Sequence, residues 1–305
     1  HAEMKKLRGT LDHIKDTPAD VLIHGETGCG KELVARYLHA HSQRHEEPFV
    51  AINCGAIPES LIESELFGHQ AGAFTGAGKK RVGKFQHANG GTLFLDEIES
   101  MPMVLQIKML RVLEERKVEP LGGNEQIPLD IRVVAATKTD LKELSEKGEF
   151  RLDLYYRLNV VQVNIPPLRE RRDDIPLLFE HFLWAASNRY GSEMKPLTSG
   201  QRQALLSHDW PGNVRELRNL AECFVLLGGE RAFESMLNGD GSADSGRISL
   251  AEQVARYEET LLREVLTRHQ GRLKEVQEEM MLGRKTLYEK MKKYGLDKQA
   301  FKHID

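Results

Sequence analysis

The chain has 305 residues, 46 acidic and 43 basic for a net charge of -3, with 40% apolar and 29% charged residues. A chain that long buries a large core in two or three domains, and a charge so near balance says nothing global about nucleic acid, so the distribution of charge has to be read locally. No apolar run approaches the ~20 residues that span a bilayer, no signal-peptide pattern stands at the start, and the scattered cysteines Cys29, Cys54 and Cys223 supply neither a disulfide framework nor a metal knuckle, so a soluble cytoplasmic protein with no membrane partner is expected.

The first element, Met4 to Ile14, reads as a helix that begins abruptly, as in a fragment of a longer chain. Val21, Leu22 and Ile23 then form a short buried strand, and Leu33, Val34, Tyr37 and Leu38 recur at helical spacing. Between them lies Gly25-Glu26-Thr27-Gly28-Cys29-Gly30-Lys31-Glu32, with the glycine and lysine spacing of a phosphate-cradling loop. A polyphosphate needs several backbone N-H groups aimed at it. Glycine lets the main chain curl that closely, and the following helix N-terminus adds partial positive charge. Lys31 supplies a flexible cation for the outer phosphates. Glu32 departs from the pattern, which ends in a Ser or Thr whose hydroxyl contacts Mg²⁺.

Phe49 to Ile52 is a second strand ending at Asn53, which either caps the strand or faces the nucleotide, because ligands of such sheets sit at the strands' carboxyl ends. Glu59 to Phe67 is a helix. Gly68, Gly72, Gly76 and Gly78 then surround a lone Phe74, giving either a loop tip folded into the core or an exposed apolar finger on hinges. Gly91 to Glu97 is an apolar strand ending in adjacent carboxylates, which puts Asp96 on Mg²⁺ and Glu97 where it polarises a water. Ser100 and Pro102 open a helix as N-cap and first-turn residue, and Val104, Leu105, Met109, Val112 and Leu113 line its buried face. Ile131 to Ala136 and Val160 to Ile165 are the fourth and fifth strands, the fourth followed by Thr137 and Lys138. Apolar strands alternating with helices imply an α/β parallel sheet covered on both faces. Arg151 and Arg157, just before the last strand, are either surface charges or groups that reach a neighbouring subunit's phosphates.

Beyond Asp173 only helical patterns follow: Ile175 to Asn188, Ser199 to His208, and Asn213 to Leu226 with Asn213 as N-cap. Arg215 lies in that last helix's first turn, where a cation opposes the helix dipole and invites a bound phosphate. Residues 230–247, rich in Gly, Ser and Asp, read as a linker. A long helix, Ser249 to His269, and two short ones, Lys274 to Met280 and Arg284 to Tyr294, end the chain. In the last, Arg284, Lys285, Lys290, Lys292 and Lys293 stand against Glu289 alone, 5 minus 1 or +4, a local excess that suits either DNA or a solvated face.

Together these segments resemble the AAA+ bacterial enhancer-binding proteins that activate sigma-54 RNA polymerase, from about Val21 to Leu226, and the tail is similar to the Fis-type helix-turn-helix that ends many of them. The most specific piece is Gly72-Ala73-Phe74-Thr75-Gly76-Ala77, by which that family contacts sigma-54. Glu-Ser-Glu-Leu-Phe-Gly (63–68), Leu-Phe-Leu-Asp-Glu-Ile (93–98), Leu-Tyr-Tyr-Arg-Leu-Asn-Val (154–160) and Trp-Pro-Gly-Asn-Val-Arg-Glu-Leu (210–217) also match its motifs. Glu-Ser-Met-Pro (99–102) and Ala-Thr-Lys (136–138) are similar to the subtype that regulates C4-dicarboxylate and acidic amino-acid uptake, response regulators of two-component systems.

The resemblance implies an α/β AAA+ subdomain over 1–167, a helical lid over 168–229, a linker over 230–247 and an all-α Fis-like DNA-binding domain over 248–305. It implies an ATPase with ATP and Mg²⁺ as cofactors, assembling from dimers into a hexameric or heptameric ring on enhancer DNA. Gly25 to Glu32 would be the Walker A loop, and the family carries Glu at that last place. Asp96 would orient Mg²⁺, Glu97 activate water, and Asn53 restrain Glu97. Thr137 and Lys138 take the sensor I position, Arg151 and Arg157 the trans-acting arginine fingers, and Arg215 the sensor II position. Arg284, Lys285, Thr286, Tyr288 and Lys290 would contact DNA. Met281 stands where the helix-turn-helix turn usually has Gly, and Gln277 where a small apolar residue packs. A Met at positive φ costs on the order of 1 kcal/mol. A helicase-loader-type AAA+ protein, or a repressor using the ATPase fold as a scaffold, are the rival readings. The first has no use for a Phe74 finger and the second none for the Lys31, Asp96, Glu97 and Arg157 set.

Overall fold

The computed structural model describes residues 1–73, 78–237, 262–263, 265–269, 271–280, 282–294, 296 and 301, and the chain divides into two compact units, 1–239 and 240–305. Phe74, Thr75, Gly76 and Ala77, Met281, and most of the expected helix from Ser249 lie outside the described residues.

In the first unit five parallel strands, β1 (Val21–His24), β2 (Phe49–Asn53), β3 (Thr92–Asp96), β4 (Arg132–Thr137) and β5 (Val161–Asn164), lie in the order β2-β3-β4-β1-β5. Register pairs His24 with Thr137 and Asn53 with Asp96, so the carboxyl ends of four strands share one edge. β1 and β2 follow one another in sequence but have β3 and β4 between them, which opens a crevice at that edge.

Alternation along the strands sends side chains to opposite faces. Val21, Ile23, Phe94, Val134 and Ala136 meet helices α1 (Ala2–Ile14) and α2 (Lys31–Ala40) through Leu7, Leu11, Ala35 and Leu38. Leu22, Leu93, Leu95, Val133 and Ala135 meet α3 (Glu59–Phe67), α4 (Met103–Glu115), α5 (Leu141–Glu146) and α6 (Leu152–Leu158). Each fully buried aliphatic side chain contributes roughly 1.5–3 kcal/mol, so two faces of this size hold the sheet without help from its polar edge. α4 differs from the expectation. Ser100 closes a 3-10 turn from Ile98 and does not cap, Pro102 holds the N-cap position, and Val104 is 67% exposed because Leu105, Met109, Val112 and Leu113 fill the inward stripe.

The lid is built from α7 (Ile175–Tyr190), α8 (Ser199–Ser207), α9 (Asn213–Leu227) and α10 (Gly229–Leu237). Phe179, Phe224 and Phe233 meet edge-on with centroids 6.1–6.3 Å apart, and buried Trp210 donates its ring N-H to the Leu205 carbonyl at 2.9 Å. Residues 230–237 are therefore not linker: Ala232 and Phe233 bury an apolar stripe in the lid core, a signal hidden in the sequence by flanking glycine and charge.

The second unit holds α11 (Leu273–Glu279) and α12 (Arg284–Lys293), whose Val276, Leu287 and Met291 join Leu262, Val265, Leu266, Leu296 and Phe301 in one cluster. Among the described residues no helix is long and apolar enough to cross a membrane, and no three His, Cys, Asp or Glu side chains form a metal cluster.

Candidate active site

β1 runs into the glycine loop, and the Gly25 amide donates to the Thr137 carbonyl at 3.1 Å, which fixes the loop's first residue to the end of β4. Gly28 (φ 77°) and Gly30 (φ 105°) take the left-handed conformations that let the loop curl into α2. Lys31, 9% exposed, folds back over the loop and donates to the carbonyls of Gly25 at 2.8 Å and Glu26 at 3.2 Å. Glu32 points along α2 instead and pairs with Arg36 at 2.7 Å on the surface.

Beside the loop, β3 ends in the two carboxylates. Asp96 accepts from the Glu97 amide at 3.0 Å. Burial pushes its carboxyl above the ordinary value, while the charge of Lys31 pulls it back down. Glu97 sits at φ 50°, ψ 48°, a left-handed conformation that costs a non-glycine residue roughly 1–2 kcal/mol. Strain of this kind persists where the surrounding structure enforces it, commonly at working sites. The Lys138 ammonium lies 3.9 Å from Glu97 Oε1, and the Lys138 amide donates to Glu99 Oε1 at 3.4 Å. Buried Thr137 donates its hydroxyl to the Thr139 carbonyl at 3.0 Å.

The Asn53 side-chain oxygen accepts from the amides of Gly55 at 2.9 Å and Ala56 at 3.0 Å. A Cβ on Gly55 would stand 2.4 Å from Glu97 Oε2 and 3.5 Å from Asn53 Oδ1, so both side chains press on that glycine. Next to them the Cys54 thiol is pushed up to about 12, first by burial and then by Asp96, Glu99 and Glu97, which keeps it protonated and unreactive.

The lid closes the other side. Arg169 donates from both terminal nitrogens to Glu26, at 2.6 and 2.8 Å. Those bonds, opposed by burial and helped by Asn213, hold Glu26 below the ordinary carboxylate value. The Asn213 side chain donates to Glu26 Oε2 and the Thr27 carbonyl, both at 3.1 Å, and accepts from the Leu168 amide at 2.7 Å. It is therefore a buried knot between lid and loop. The N-cap position of α9 belongs to Gly212 and makes no side-chain cap. The Val214 amide donates to the Gly28 carbonyl at 3.1 Å, and Arg171 donates to the Cys29 carbonyl at 3.1 Å. Arg215 is exposed, with its Cβ 3.0 Å from where a Gly28 Cβ would stand.

Two expected groups lie elsewhere. Arg151 pairs with Asp153 at 2.6 and 3.0 Å at the start of α6. Arg157 donates to Asp20 Oδ2 at 3.1 Å and to the Leu113 carbonyl at 2.8 Å. Asp20 precedes β1 whereas the loop follows it, so the strand, roughly 13 Å of it, separates Arg157 from the glycine loop of the same chain. Of the finger, Gly72 (φ 81°) and Ala73 are described, and Ala73 packs against Gly122 at the base. On α12, Arg284, Lys285, Thr286 and Tyr288 are exposed and Lys290 is half-buried, while Leu287 and Met291 turn inward. Sequence reasoning missed Asp20, Arg116, Arg169 and Arg171. The signals were an acid directly before the apolar triplet of β1, and an arginine-rich run directly after Pro166 and Pro167 close β5.

Comparison with known proteins agrees with this geometry. Residues 1–164 match the family described as the Sigma-54 interaction domain, and residues 169–236 match the AAA+ ATPase lid domain. The chain is 54% identical over 299 residues to the C4-dicarboxylate transport transcriptional regulatory protein DctD of Rhizobium meliloti, a match covering 98% of this chain and 64% of that protein. It is 54% identical over 295 residues to DctD of Pseudomonas aeruginosa, covering 97% of this chain and 63% of that one. The chain thus spans a little under two thirds of the length of these curated relatives. Among solved structures, NtrX from Brucella abortus in complex with ATP superposes with a TM-score of 0.70 at 33% identity, covering 97% of this chain and 68% of that one. Nucleotide loop, strand-end carboxylates and clamped lid, with these matches, place the chain in the Sigma-54 interaction domain family of AAA+ ATPases, the sigma-54-dependent transcriptional activators.

Proposed function

We propose that the chain hydrolyses ATP in a head-to-tail ring and uses the energy to remodel a sigma-54 RNA polymerase complex through the loop from Gly72 to Ala77. The observation that carries the reading is the meeting of Lys31, Asp96, Glu97 and Thr137 at the carboxyl ends of three adjacent strands, under a lid bonded to the loop. Lys31 and the loop amides Gly28 to Lys31 bind and orient the phosphates. Glu97 takes a proton from the attacking water, and Lys138 and Asn53 set its position. Mg²⁺ keeps most of its waters and takes one or two carboxylates besides phosphate oxygens, so Asp96, a single strand-end carboxylate next to the loop, fits it. When bound it neutralises charge on the phosphates. Arg215, on the lid against Gly28, senses the phosphates in its own subunit, whereas Arg151 and Arg157 serve the neighbour's site.

Because the fingers act across a boundary, hydrolysis requires assembly. Removing such an arginine lowers turnover by roughly 10³ to 10⁵. Arg157→Ala and Lys31→Ala proteins, each inactive alone, should regain turnover when mixed, since some boundaries then pair an intact loop with an intact finger. Recovery in the mixture supports the reading, and a fully active Arg157→Ala protein refutes it. Along the rest of the chain the Fis-like unit, 248–305, binds enhancer DNA through Arg284, Lys285, Thr286, Tyr288 and Lys290 on the outer face of α12. A helicase-loader role would instead show strand separation without sigma factor.

A further inference from the structure

Asp20 is 1% exposed, yet it receives two guanidinium groups on a single oxygen: Arg116 donates to Oδ2 at 2.7 Å and Arg157 at 3.1 Å, while Oδ1 accepts the Val133 amide at 3.1 Å. Arg132, itself buried, stands close by with bonds to the carbonyls of Ile14, Lys15 and Ala19. One carboxylate thus faces more than one positive charge, and two like charges crowd the same atom. A buried carboxylate that lost its only partner would be left uncompensated, which is costly. Here the loss of Arg157 leaves Arg116, at the shorter distance, still bound to it. Arg116 is also tied down by a bond to the Ile131 carbonyl at 3.1 Å, and as the C-cap of α4 its backbone is fixed at φ 53°.

We propose that Asp20 is a positioning residue for Arg157: it holds the guanidinium within its own subunit until a neighbour's nucleotide phosphates draw it away, and Arg116 remains as the standing counter-charge that makes release cheap. This rests on the reading of Arg157 as a group acting in trans. The two neighbours then have opposite effects. Arg116→Gln leaves Arg157 as the one guanidinium on the carboxylate and tightens the hold. Asp20→Asn removes the charge that does the holding.

The test measures ATP turnover, the KM for ATP and assembly by sedimentation on the whole chain. Arg116→Gln should lower kcat roughly three- to tenfold with KM and assembly unchanged, and Arg116→Lys, which keeps the charge, should restore most of it. Asp20→Asn should raise kcat, and in its presence Arg116→Gln should have no further effect. A structural role alone would make both changes lower kcat and add. Equal losses in both variants, additivity in the double variant, or no rescue by Lys overturns the proposal. If Asp20→Asn fails to fold, Asp20→Ser, which also removes the charge, takes its place in the single and double variants. Arg157→Ala run alongside separates the two readings: retained turnover there removes the trans-acting arginine itself, whereas its loss with kcat unchanged in the 116 variants removes only the hold by Asp20.

Discussion

At the scale of single residues the site is a set of charges kept apart by short, specific bonds. Glu97 is held in a strained left-handed conformation with the Lys138 ammonium 3.9 Å from its carboxylate. Glu97→Gln keeps shape and hydrogen bonding but cannot accept a proton. Turnover should fall by roughly 10² to 10⁴ while the Kd for an ATP analogue stays within a few fold, measured by fluorescence titration. Glu26 gives a prediction in pH. Arg169 chiefly lowers its pKa from 4.5, so the unfolded chain protonates there first and the carboxylate's contribution to stability is present in full above that value. It is lost as pH falls through the lowered native value. The difference in melting temperature between the wild type and Glu26→Gln should accordingly be constant near neutrality and shrink as the solution is acidified below pH 4.5. Local pattern was enough to find Lys31, Asp96 and Glu97, because each sits at a fixed offset from a strand end. It could not find the Asp20 and Arg157 pair, whose members are 137 residues apart and meet only when β1 and β5 lie side by side.

Among the elements, those with strict periodicity and clear terminators were readable: β1, the loop and α2 follow directly from an apolar triplet, glycines and a helical stripe. Where two local signals competed, the reading failed. Ser100 lost the cap of α4 to Pro102, whose fixed φ suits the position just ahead of a helix. Asn213 has the chemistry of a cap, but the lid spends it on Glu26, Thr27 and Leu168. Gly28→Ala tests how closely loop and lid fit. A Cβ there would stand 2.3 Å from the Gly212 carbonyl oxygen at a positive φ, and the substitution should destabilise the first unit by about 1–3 kcal/mol, read as a lower urea midpoint. On the finger, Phe74→Ala should leave ATPase activity near that of the wild type and abolish open-complex formation at a sigma-54 promoter. Retained promoter opening would remove the proposed contact.

Over the whole molecule the chain divides into two compact units, 1–239 and 240–305, and the proposed function gives ATP hydrolysis to the first and DNA binding to the second. A fragment ending near Gly246 should keep ATP turnover at high concentration and lose affinity for an inverted-repeat enhancer, measured by filter binding at fixed salt. Equal affinity with and without the tail would reject the assignment. The seam between sheet and lid has its own consequence for protein engineering. Because Arg169 must meet Glu26, and the Gly212 carbonyl oxygen lies 2.3 Å from where a Gly28 Cβ would stand, exchanging lids between relatives means transplanting two matched surfaces. A lid that lacks the arginine, or a loop that carries a bulkier residue in place of Gly28, would yield a hybrid whose halves each fold and whose nucleotide affinity is nonetheless poor.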